Sequence, residues 1–136
     1  MAATELASGI ALATAGLRVQ QGRIRVMTEN LANASSTAPT LGGDAYRRKI
    51  AVFEPIEITA EPVGHIVRDT TGFRTVFDPA HPAADPFGTL KLPNVNPVVE
   101  TGDLQAATRA YEANLKVIST LGELEKRTVE LLRSDA

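Results

Sequence analysis

The chain has 136 residues, a net charge of −2, a pI near 5.7 and no cysteine. That length implies one domain with at most a small appendage, and the mild acidity gives no general attraction to nucleic acid or anionic lipid. Disulfides, thiolate metal sites and a cysteine nucleophile are excluded, and no stretch reaches the roughly 18 apolar residues of a membrane-spanning helix.

Residues from about 4 to 34 place Leu6, Ile10, Ala13, Leu17, Ile24, Met27 and Leu31 at alternating four- and three-residue steps, with Gln20 the one polar member. This period predicts a helix about 45 Å long if continuous, with a narrow apolar seam that another helix must cover. The first 34 residues hold eight alanines, so the seam buries little area and a helix pair built on it is weak alone. Gly9, Gly16 and Gly22 do not share one helical face, which favours tolerated flexibility over close backbone approach. Asn30 and Asn33, followed by Pro39, mark the stop: Asn tolerates the left-handed cap conformation and Pro39 prevents continuation. Glu5 and the lack of an early Lys or Arg argue against a secretory signal, so the N-terminus is expected to belong to the mature helix.

Residues 35–45 form a loop turning at Gly42-Gly43-Asp44. Residues 46–58 suit a strand that Pro55 makes an edge or ends early. Residues 63–67 and 73–77 are two further strands, separated by a hairpin turn at Asp69-Thr70-Thr71-Gly72. From residue 78 to 99, Pro79, Pro82, Pro86, Pro93 and Pro97 predict extended chain lying over something else, without a packed element of its own. Thr101 or Asp103 is then the expected N-cap of a second helix running to about Arg133. Its stripe is Leu104, Ala107, Tyr111, Leu115, Ile118, Leu121, Leu124 and Leu131, with Thr128 filling one step. The expected architecture is mainly α with a small β element. Long N- and C-terminal helices (1–34 and 101–136) pack as an antiparallel pair, joined by an extended, proline-rich, hairpin-containing central region (35–100).

Catalysis has no visible apparatus. Asp78, His81 and Asp85 are the best ligand cluster, but Asp before Pro starts turns, and the prolines space these residues along extended chain. Arg47-Arg48-Lys49 is too small a basic cluster for a nucleic-acid surface and is expected on a solvated or interface-facing strand edge. There is no glycine-rich phosphate loop and no serine in a nucleophile elbow. No metal, cofactor or small-molecule substrate is therefore expected. The two seams invite assembly, and the candidate interface is Leu6, Ile10, Leu17, Ile24, Met27 and Leu31 with Tyr111, Leu115, Ile118 and Leu121. Asn30, Asn33 and Asn114 would fix helix ends or bridge neighbours, since buried Asn discriminates registers. A stand-alone helical-hairpin adaptor or export chaperone is the alternative.

Several segments also carry a resemblance. They are Asn30-Leu31-Ala32-Asn33-Ala34, Tyr46-Arg47-Arg48-Lys49, Asp78-Pro79-Ala80-His81-Pro82-Ala83-Ala84-Asp85, Leu92-Pro93-Asn94-Val95-Asn96 and Ala110-Tyr111-Glu112-Ala113-Asn114. In this order and spacing the chain closely resembles the rod protein C family of the bacterial flagellar basal body, over essentially its whole length. It departs from the usual pattern at Gly22, Glu29 and Gly102. The resemblance implies a structural subunit of the proximal rod, which crosses the periplasm. Its terminal helices would stack with those of neighbours around the axial channel. It would be exported through the flagellar type III apparatus without signal cleavage, and its partners would be other rod proteins and the adaptor at the rod base.

Overall fold

The structure, a computed structural model, describes residues 2–54 and 64–135. Among the described residues two long helices, α1 (Ala2–Ala32) and α2 (Pro97–Ser134), flank four short strands: β1 (Lys49–Phe53), β2 (Gly64–Arg68), β3 (Arg74–Phe77) and β4 (Thr89–Leu92). The helices pack antiparallel along one register: Gly9 lies opposite Leu121, Gly16 opposite Asn114, and Asn30 reaches Glu100. The mainly helical architecture is as expected. The Pro55 break, the rest of the anticipated first strand and Val63 lie outside the described residues.

The glycines of α1 are not idle. A Cβ on Gly16 would stand 2.7 Å from Asn114 Nδ2, and one on Gly9 would stand 3.0 Å from Leu121 Cδ1, so both let α2 approach. Gly22 faces the sheet instead, where its Cβ would stand 2.6 Å from the Phe53 ring. Close approach, not flexibility, is thus their use; two packing partners on different sides of α1 explain why they share no single face.

α1 closes at Asn33 without a left-handed residue. Among the described residues no non-glycine has positive φ; the Asn33 side chain instead donates to the Glu29 carbonyl (2.9 Å), which also accepts the Asn33 backbone N–H (3.1 Å), so the last turn is held twice at one oxygen.

Three further expectations are corrected. First, β2 and β3 do not pair: β1 pairs antiparallel with β2 (Lys49 opposite Arg68) and β3 with β4 (Arg74 opposite Leu92), giving two separate ribbons. The segment between β2 and β3 is not a hairpin turn, because Asn94 Nδ2 donates to the carbonyls of Asp69 (3.2 Å) and Thr71 (3.1 Å). Second, the proline-punctuated run does contain packed elements. β4 fits in the gap between Pro86 and Pro93, where no proline removes a donor. Third, α2 starts four residues before Thr101. Asn96 is the N-cap, its side chain accepting from the N–H of Val98 (3.1 Å) and Val99 (3.5 Å). Pro97 takes the first helical position, where its missing N–H is no loss.

The Asp78–Asp85 stretch is turn chemistry. Asp85 Oδ1 accepts from the N–H of Phe87 (2.9 Å) and Thr89 (2.8 Å), and His81 Nδ1 accepts from Ala83 N–H (3.0 Å). Gly88, at φ 78°, completes the turn into β4.

Candidate assembly interface

The apolar stripes divide into a covered part and an open part. On α1, Leu6, Ile10, Leu17, Ile24, Met27 and Leu31 are all half-buried. On α2, Tyr111, Asn114, Ile118 and Leu121 are half-buried, while Leu115 is 44% exposed. The structure therefore brings most of the anticipated residues to one seam and leaves Leu115 outside it. Val26, which the periodicity did not select, is more deeply buried than any of these apolar members. Beyond Leu121 every residue of α2 through Ser134 is exposed, including Leu124, Val129, Leu131 (66%) and Leu132 (69%). The antiparallel register leaves the end of α2 without α1 to lie against. Its stripe continues without a cover in the single chain.

The other end of the helix pair is closed by a polar joint. Asn30 and Glu100 are the buried polar residues of the described chain, at 0% and 1% exposure. Asn30 Oδ1 accepts from the Lys49 N–H (2.9 Å) and the Tyr46 hydroxyl (2.9 Å); its Nδ2 donates to the Lys49 carbonyl (2.8 Å) and to Glu100 Oε2 (3.3 Å). Arg48 Nε donates to Glu100 Oε1, and Arg48 Nη1 lies 3.5 Å from Asp69 Oδ2. Asn94 Oδ1 accepts from Arg48 N–H (2.7 Å). All four polar atoms of these two buried side chains are partnered, so burial leaves none unsatisfied.

The basic triplet is accordingly not a solvated edge. Arg47 lies over the Phe73 ring (4.4 Å to the centroid), Arg48 grips Glu100, and Lys49 pairs with Glu29. Each cation has an internal partner because β1 starts where α1, α2 and the loop from Asp69 converge. Asn30 likewise has no surface left for a neighbour, whereas Asn33 and Asn114 remain half-exposed. Glu100, Tyr46, Asn94 and Asn96 were not singled out by periodicity; only Asn96-Pro97 carries a local signal, an N-cap followed by proline.

Burial, then the charges of Glu29 and Glu100, push the Tyr46 phenol up to about 12, against an ordinary value of 10.0. The folded state therefore holds this proton more tightly than the unfolded chain. Stability is fully present below pH 10 and falls as pH rises from 10 toward 12. Tyr46→Phe is expected to cost about 1 kcal/mol at neutral pH through the lost hydrogen bond to Asn30. It should also flatten the alkaline limb; denaturant midpoints measured from pH 8 to 11.5 check both.

Comparison with known proteins points one way. The family described as "Flagellar basal body rod FlgEFG protein C-terminal" matches residues 88–131. A flagellar basal-body rod protein FlgC from Agrobacterium fabrum is 39% identical over 134 residues, covering 95% of this chain and 96% of the relative. The protein of that name from Aquifex aeolicus is 34% identical, covering 93% and 96%. That from Salmonella typhimurium is 32% identical, covering 88% and 92%.

Proposed function

Because this chain belongs to the flagellar basal-body rod protein FlgC family, and so is a structural subunit of the rod, we propose that it transmits torque and forms part of the wall of the axial export channel through helix–helix assembly. The observation that supports this reading is the uncovered apolar stripe of α2 beyond Leu121. Force passes between subunits only through contacts that a single subunit leaves unmade, and this stripe is such a contact surface. Other rod proteins and the rod-base adaptor are the proposed partners. No helix among the described residues is long and apolar enough to cross a membrane.

The proposed route to the rod is the flagellar type III apparatus, without cleavage of a leader. Leu6 and Ile10, half-buried in the helix pair, support it, since their removal would shorten the seam. The intact mass of the protein in isolated basal bodies tests this: a chain shortened past Ile10 would count against it.

Leu115→Asp and Leu131→Asp test the assembly reading. Both positions are exposed in the single subunit, so the isolated chain is expected to fold as before. In cells lacking the native copy, either variant should leave incomplete rods and abolish swimming. Intact basal bodies and normal swimming with both substitutions together would overturn the proposal.

A further inference from the structure

The polar joint sits where the apolar underlay is slight, with the Phe53 ring of β1 packed against Gly22 of α1. All described residues of β2 and β3 are exposed, and those of β1 are half-buried at most. Among the described residues six of the nine buried Ala, Val and Leu residues are alanines, and the largest fully buried side chain is that of Glu100. Apolar contact is non-directional, and there is little of it here to set the angle at which the β1–β2 ribbon leaves the helices. Hydrogen bonds do fix direction. Those of Asn30, Arg48 and Glu100 tie the end of α1, the first residues of β1, Asp69 just beyond β2 and the first turn of α2 to one point.

Burying an ion pair is also a poor source of stability. Desolvation offsets the attraction, and apolar side chains of similar volume commonly serve a fold as well or better. What such side chains would not supply is a preferred direction.

We infer that the Asn30–Arg48–Glu100 cluster is a positioning joint that sets and stiffens the angle of the β1–β2 ribbon against the helix pair, and that its contribution is orientation more than stability. The inference rests on the rod reading for its consequence alone: a ribbon that swings freely would make the subunit compliant under torque.

The test replaces the joint as a whole. Glu100→Leu with Arg48→Met keeps the volume and removes both charges. The chain has no native cysteine, so Val67→Cys on β2 and Lys116→Cys on α2 accept one spin label each at exposed positions. Pulsed electron paramagnetic resonance on the isolated full chain then reads the distance between ribbon and helix. The double variant is expected to melt at or above the native temperature while its distance distribution broadens. A distribution as narrow as the native one would overturn the inference, as would a fall in melting temperature without broadening. Arg48→Lys keeps the charge and loses the guanidinium fork. It should also broaden the distribution, and an unchanged width there would be equally fatal. If the unlabelled native chain failed to co-purify with basal bodies, the torque-transmitting assembly reading would fall instead, and the distances would still decide the joint.

Discussion

Glu100→Ala is expected to lower the unfolding free energy by about 2–4 kcal/mol, read from urea denaturation of the isolated chain. The carboxylate is 1% exposed and is held by Arg48 Nε and by Asn30 Nδ2 at 3.3 Å. Removing it leaves the partly buried guanidinium facing an empty pocket, with Asp69 at 3.5 Å as its remaining anion. That guanidinium is about one quarter exposed, which lets water reach it and keeps the loss below the upper end for a wholly buried pair. The companion measurement is a double-mutant cycle with Arg48→Met. Each single change strands a charge, whereas the double change strands neither, so the two losses should not add. A Glu100→Ala loss under about 0.5 kcal/mol, the range of an ordinary surface substitution, would contradict this account.

Gly22→Leu is expected to cost about 1–3 kcal/mol through overpacking. Even one added carbon on Gly22 would stand 2.6 Å from the Phe53 ring, and the same ring lies 2.5 Å from where a Cβ on Gly64 would be. Phe53 is therefore wedged between α1 and β2, and a larger residue at 22 must push the ring out. Because β1 pairs with β2 through Phe53 opposite Gly64, the whole ribbon should loosen. Faster amide exchange at Ala51 and Ile66, with exchange along α2 unchanged, is the specific signature. Phe53→Ala placed on top of Gly22→Leu should recover part of the loss, because the volume added on one side is removed on the other. If the pair is worse than the sum of the single changes, the wedge is not the reason Gly22 is there.

Acid should loosen the joint more weakly. The backbone and side-chain hydrogen bonds of Thr71, then Arg48, hold the Asp69 carboxyl below the usual range. Its contribution is present at neutral pH and is lost as pH falls through that lowered value.

Sequence alone determined the two helices and their antiparallel pairing. An apolar residue every three or four positions is a property of the helix itself, and it survives whatever else the chain does. The family was legible for a related reason. Asn30, the segment from Tyr46 to Lys49 and the segment from Pro93 to Asn96 sit in motifs whose order and spacing can be recognised before their purpose is known.

Only the tertiary structure decided what those motifs are for. Asn30, Arg48 and the Asn94–Glu100 stretch come from three separate parts of the chain and meet at one point, and no local period announces such a meeting. The same holds for strand pairing. Turn residues at Asp69–Gly72 favour a hairpin locally, but Asn94 takes the carbonyls of Asp69 and Thr71, and β2 turns back to β1 instead. The α1 glycines follow the same logic: Gly22 is a weak point of the helix when read along it, and a seat for Phe53 when read across the fold. Periodicity reports which face of an element is buried, whereas the partner that buries it is set by contacts between segments that sequence order keeps apart.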